Sequence, residues 1–81
     1  MKYDPSVTGK LVREMRKNKG MTQEVLSGLA GIARSRLAMI ETGDKAANVE
    51  TLWKIAQAFE IPLNELIRRA EEEMNRKPAE N

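Results

Sequence analysis

Residues 22–43 read TQEVLSGLAGIARSRLAMIETG, and the spacing within this stretch decides the fold. Thr22 is a natural N-cap, residues 23–30 suit a helix of about two turns, and Gly31 supplies a left-handed stop. A second helix begins near Ala33 or Arg34, carries Leu37 and Ile40 inward at i, i+3, and ends at Thr42-Gly43. For two short helices to cross closely about a glycine, particular offsets must hold, counted here with Gln23 first. The fifth residue, Ser27, is small enough for the crossing, and the ninth, Gly31, reaches positive φ without a Cβ penalty. Apolar side chains are needed at the fourth, eighth, tenth, fifteenth and eighteenth positions, and Leu26, Ala30, Ile32, Leu37 and Ile40 stand there. On this reading the first of the two helices buries Leu26, Leu29 and Ala30.

Outward from that unit the chain remains helical. Asp4-Pro5-Ser6 starts a helix running to about Lys19, with Gly20 as its stop, Val12 and Met15 inward, and Lys10, Arg13, Lys17 and Lys19 on the polar side. Beyond a loop at residues 44–47, Asn48 caps a helix whose apolar positions Leu52, Ile55, Ala56 and Phe59 repeat at 3, 4 and 7. Ile61-Pro62 breaks it, because the residue before proline is pushed out of the α region. A fifth helix then runs from Leu63, with Leu66, Ile67, Ala70 and Met74 along one stripe, until Pro78 ends it and a loose tail follows. Glu65 with Arg69, Glu72 with Arg76 and Glu73 with Lys77 are favourably oriented i, i+4 pairs on this helix. The expected architecture is all-α: one domain over residues 1–81, with the crossed pair at about 22–42 and the fifth helix and tail at 63–81.

Composition narrows the function. The chain has 81 residues, 41% hydrophobic and 32% charged, which suits one small soluble domain with room for a single core. Its charge-free stretches fall far short of the ~20 apolar residues that span a bilayer, and charge and proline near Met1 oppose a secretory signal. The expected location is therefore the cytoplasm. With no cysteine there is neither a disulfide framework nor a thiolate metal site, and with no histidine the commonest general base is missing. No carboxylate pair stands at a catalytic spacing either, so neither an enzyme nor a cofactor is expected. Residues 1–41 hold eight basic and four acidic side chains, a net +4, whereas residues 42–81 hold six and eight, a net −2. A basic half is the electrostatic footprint of a phosphate-binding surface, although the same excess occurs in proteins that bind no nucleic acid.

The glycine-jointed pair is a helix-turn-helix. Together with Arg16, Gly20-Met21-Thr22-Gln23, Gly31 and Ile40-Glu41-Thr42-Gly43, it resembles the lambda-repressor-like, Cro-type (XRE) family of bacterial and phage regulators. The segment Glu50-Thr51-Leu52-Trp53-Lys54-Ile55-Ala56 is similar to that family's fourth helix, and the likeness covers roughly residues 6–70. Ser27 in place of the usual alanine, Ala33 in place of a capping Ser or Thr, and Ala47 in place of a frequent proline are departures. Ala33 leaves the second helix of the motif without a side-chain cap.

The resemblance implies five helices, with the third entering the major groove of double-stranded DNA by its first turn. It places Arg34 and Ser35 at base edges, with Arg34 suited to a bidentate contact with guanine. Arg36 reaches a base or a phosphate, and Ala38 and Met39 offer apolar contact such as to a thymine methyl. Thr22, Gln23 and Lys45 fall at phosphate-binding positions. Arg16 and Glu41 match an ion pair tying the first helix to the end of the third. A homodimer on a palindromic operator is implied, and the stripe of Ile67, Ala70 and Met74, flanked by Trp53, is the expected interface. The leading expectation is a sequence-specific transcriptional regulator acting as a repressor. An antitoxin or adaptor that holds a toxin or other protein partner, and the controller of a restriction-modification system, share the same motif.

Overall fold

The computed structural model describes residues 2–76, and among them are five helices and no strand. These are α1 (Pro5–Asn18), α2 (Gln23–Ala30), α3 (Arg34–Thr42), α4 (Val49–Ala58) and α5 (Leu63–Arg76). Three start at a side-chain cap. Asp4 accepts from the amide of Ser6, Thr22 from Val25 and Asn48 from Thr51, each satisfying one donor that a helix start would otherwise leave bare. Ala33 precedes α3 with no side-chain bond, as its methyl requires.

Three helix ends share one geometry. After α1, α2 and α4 a residue turns left-handed, at Gly20, Gly31 and Glu60, and the next amide reaches back five residues. Those bonds are Met21 to Arg16, Ile32 to Ser27 and Ala56 accepting from Ile61, each 3.0 Å. This is the Schellman arrangement, which glycine adopts freely and glutamate at a cost. Accordingly α4 ends ahead of Ile61-Pro62, the dipeptide whose steric clash was expected to break it.

The core unites all five helices around Val12, Leu26, Leu37, Ile55, Phe59 and Leu66, all almost wholly buried. Leu63 is half-buried against this cluster. Leu29 departs from expectation, being 61% exposed. On a helix turning 100° per residue, Leu26, Ala30 and Ser27 span about 100° of circumference, and Leu29 falls about 60° beyond Leu26 on the other side. A two-turn helix crossed by both α3 and α4 buries only that arc.

Ala70 also departs, since it belongs to the domain's own core instead of the free side of α5. Ile67 and Trp53 are exposed and Met74 is half-buried. Along α5, Glu65 bonds Arg69 at 2.9 Å, but Glu72 is taken by Arg68 at 2.7 Å and Arg76 turns to Glu73. Arg68 stands three residues after Glu65 and four before Glu72, so it bridges both carboxylates and displaces the Glu72–Arg76 pair. Lys77, Pro78 and the tail to Asn81 lie outside the described residues.

Candidate nucleic-acid interface

The orientation of α3 is set from its inner side. Leu37 and Ile40 are fully buried, and Glu41 lies beneath them with only 6% of its surface exposed. Its carboxylate meets Arg16 of α1 in a bidentate fork, Nε to Oε2 at 2.7 Å and Nη2 to Oε1 at 3.0 Å. The remaining Nη1 donates to the carbonyl of Met21 at 2.8 Å. The hydrogen bond to Glu41 raises the guanidinium's pKa above its already high ordinary value, outweighing the opposing effect of burial. A second carboxylate ligand arrives from α2, where Gln23 Nε2 donates to Glu41 Oε1 at 3.0 Å. One buried carboxylate thereby joins α1, the α1–α2 turn, α2 and α3.

At the same end of α3, the chain also packs closely against the first turns of α1. A Cβ on Gly9 of α1 would lie 1.9 Å from the carbonyl oxygen of Ile40, and one on Gly43 would lie 2.8 Å from Cβ of Ser6. Gly43 also has φ of +87°, so both its conformation and its surroundings require glycine. The first turns of α1 thus form a seat for the last turn of α3.

With its inner side fixed, α3 presents the opposite side to solvent. Arg34 and Ser35 are exposed on the first turn, and Arg36, Ala38 and Met39 are half-buried behind them. Arg34 Nη1 points at Gln23 Oε1, 3.5 Å away. Thr22 is exposed, its hydroxyl oxygen accepting from Val25 at 3.1 Å while its proton remains to donate outward. Lys45 is exposed in the loop after α3, where its amide donates to the Met39 carbonyl at 3.2 Å. Arg34, Ser35, Thr22 and Gln23 therefore gather where the starts of α2 and α3 meet, and Lys45 stands past the far end of α3.

The expected dimer residues lie elsewhere. Ile67, Ala70 and Met74 line a groove of about 470 Å³ with Tyr3, Val49 and Leu52, and Ala70 contributes floor rather than exposed area. Trp53, 49% exposed, is not among the lining residues. Two contributors to the site had no signal in the sequence. Gly9 is a mid-helix glycine with no turn to explain it, and the Gln23–Glu41 bond joins residues eighteen apart whose types are ordinary for a surface.

Among the described residues no helix is long and apolar enough to cross a membrane, and no cluster of carboxylates could hold a metal ion. A helix-turn-helix family model, HTH_3, matches residues 12–66. The chain is 32% identical over 63 residues to an HTH-type transcriptional regulator of Archaeoglobus fulgidus, covering 78% of this chain and 90% of that protein. It is 29% identical over 56 residues to the regulator SutR of Escherichia coli, covering 69% of this chain but spanning only 32% of that longer protein. The crystal structure of the restriction-modification controller protein C.AhdI from Aeromonas hydrophila superposes with a TM-score of 0.74 at 35% identity, over 78% of this chain and 96% of that one. Motif, geometry and these likenesses agree that the chain belongs to the HTH_3 helix-turn-helix family of DNA-binding transcriptional regulators.

Proposed function

We propose that the protein binds a palindromic operator in double-stranded DNA as a homodimer, in the cytoplasm, and represses transcription by occupying a promoter. The observation that carries this reading is the two-sidedness of α3: its inner residues are locked by core and ion pair, while Arg34 and Ser35 are exposed on its first turn. A rigidly seated helix with polar side chains on its leading turn suits insertion into a groove about 12 Å wide. Arg34 contacts guanine O6 and N7, Ser35 and Arg36 reach neighbouring bases or phosphates, and Met39 covers a thymine methyl. Thr22, the backbone amide of Gln23 and Lys45 hold phosphates, where the amino end of α2 favours an anion.

The homodimer draws support from exposed Ile67 and the neighbouring apolar groove, since a domain this small gains affinity and specificity by placing two copies on one operator. Met74 lines that groove with Ala70 as its floor, and exposed Trp53 follows the lining residue Leu52 in sequence. Selection of duplexes from a random library should enrich a palindrome whose half-sites are about ten base pairs apart. Failure to enrich any sequence would refute a base-reading function. A monomer in sedimentation at high micromolar concentration would refute the dimer.

A more specific reading is favoured by the likeness to C.AhdI, at 35% identity over nearly that whole chain: a controller of restriction-modification genes. It requires that the selected operator lie upstream of such genes. An operator elsewhere would return the reading to a general repressor.

A further inference from the structure

We propose that the groove between α1, α4 and α5 binds a small organic cation, an apolar body carrying one ammonium group, and that this ligand strengthens the homodimer. The second half rests on the dimer proposed above; the first does not. The groove holds about 470 Å³, within the range of small-molecule sites, and Val49, Leu52, Ile67 and Met74 give it apolar walls. Tyr3, Thr8 and Glu71 line it as well, and among the described lining residues Glu71 alone is charged. The arginines of α5 are engaged elsewhere, Arg68 with Glu65 and Glu72, Arg69 with Glu65, and Arg76 with Glu73. Among the described residues Glu71 makes no ion pair. Thr8 is 3% exposed, and among the described residues its hydroxyl oxygen has no hydrogen-bond partner, whereas buried polar groups ordinarily have one. Tyr3 is exposed beside the same groove, and an aromatic face attracts cations. An ammonium carries three N–H donors and no acceptor, so one head group suits both the carboxylate and the hydroxyl oxygen.

A second copy does not supply that charge from this surface. A two-fold contact sets the same patch against itself, so it brings a second Glu71 with the same neutral neighbours and lays one concave face on another. The bare dimer thus carries two like charges at one interface and leaves each groove unfilled. A bound ammonium answers both defects, because it neutralises Glu71 while its apolar body occupies the concavity. Ligand binding and dimerisation therefore favour one another, each raising the other's affinity by the same factor. Since the dimer is the form that occupies the operator, the ligand acts as a corepressor.

The test uses the full chain and three probes that share one apolar body: hexylammonium, hexanol and hexanoate. NMR titration at neutral pH reads place and affinity from the amides of Leu52, Ile67 and Met74. Hexylammonium should bind tightest and hexanoate weakest. Glu71→Gln should weaken hexylammonium about 2- to 5-fold and leave hexanol unchanged, whereas Thr8→Val should weaken both about 2- to 10-fold. The Thr8 hydroxyl makes no bond within the described chain, so Thr8→Val keeps the fold, which a melting curve checks. In sedimentation, saturating hexylammonium should tighten the dimer about 5-fold or more, and hexanoate should not. Equal affinity for all three probes, or hexylammonium binding unchanged in both variants, overturns the site. Hexylammonium that binds but loosens the dimer overturns the corepressor role. Weaker dimerisation of Glu71→Gln without any probe assigns the carboxylate's cation to the second copy and overturns the small-ligand reading. A chain monomeric with and without hexylammonium overturns the homodimer, and the NMR titration then decides the site alone.

Discussion

Replacing Gly9 with alanine should destabilise the domain, although glycine-to-alanine inside a helix ordinarily stabilises by about 0.8–1 kcal/mol. The added Cβ would stand 1.9 Å from the Ile40 carbonyl oxygen, 3.0 Å from its carbon and 3.2 Å from the carbonyl carbon of Glu41. Ordinary carbon–oxygen contacts begin at about 3.3 Å, so α1 and α3 must separate by more than about 1 Å. All three obstructing atoms are backbone, and no side-chain rotation relieves them. Overpacking of this kind costs typically 1–3 kcal/mol and sometimes more, and we expect about 2 kcal/mol or more, a fall in Tm of roughly 8–16 °C at this size. Gly28 of α2 is the control, because a Cβ there meets nothing within 4 Å and its φ is not positive. Gly28→Ala should raise Tm by about 4–8 °C through helix propensity alone. Thermal melts followed by circular dichroism decide the matter. If both substitutions raise Tm alike, the backbone contact between α1 and α3 is not what the geometry implies.

Other outcomes follow from the same packing. Glu41→Ala leaves the Arg16 guanidinium buried without its counter-ion and should cost about 3–5 kcal/mol, whereas Arg16→Met combined with Glu41→Leu should be near neutral; equal melts for the single and double variants would disprove the pairing argument. Glu60→Gly relieves a left-handed glutamate and should stabilise by about 0.5–1 kcal/mol in chemical denaturation, with no gain refuting strain at that cap. Hydrogen bonds from Arg68 and then Arg69 hold the Glu65 carboxyl below the usual glutamate range. A depressed carboxyl stabilises fully above its unfolded pKa and loses that contribution as pH falls through the folded value. The Tm gap between wild type and Arg68→Ala should accordingly be present at neutral pH and close as the pH falls through the depressed Glu65 pKa, and a gap that persists once the carboxyl is protonated would exclude these ion pairs as its source.

The residues that made the fold readable are those whose offsets are set within the motif itself. Ser27, Gly31, Leu37 and Ile40 obey rules of close crossing and left-handed turning that involve only neighbours in the chain, so the boundaries of α2 and α3 could be placed within a residue. Leu29 was misplaced because an apolar side chain on a two-turn helix carries no statement of which arc its partners cover. Glu60 hid the end of α4 because its residue type opposes the conformation that tertiary packing imposes on it. At the candidate interface, the exposure of Arg34 and Ser35 was legible from their place on the first turn of α3. The inward engagement of Gln23 was not, since an amide one residue past an N-cap serves equally as a surface group or as a ligand for a distant carboxylate.

The seating of α3 also bears on how such a protein can diverge. Because Leu37, Ile40 and Glu41 carry the attachment to the rest of the domain, residues 34 and 35 are free to vary without taxing stability. If those two residues read bases as proposed, a lineage acquires a new target sequence in single substitutions, each intermediate still folded. Any replacement at position 34 inherits the outward carbonyl of Gln23 as its neighbour, which favours donors over carboxylates there. On the proposed reading, the set of targets within easy evolutionary reach is biased by that neighbour.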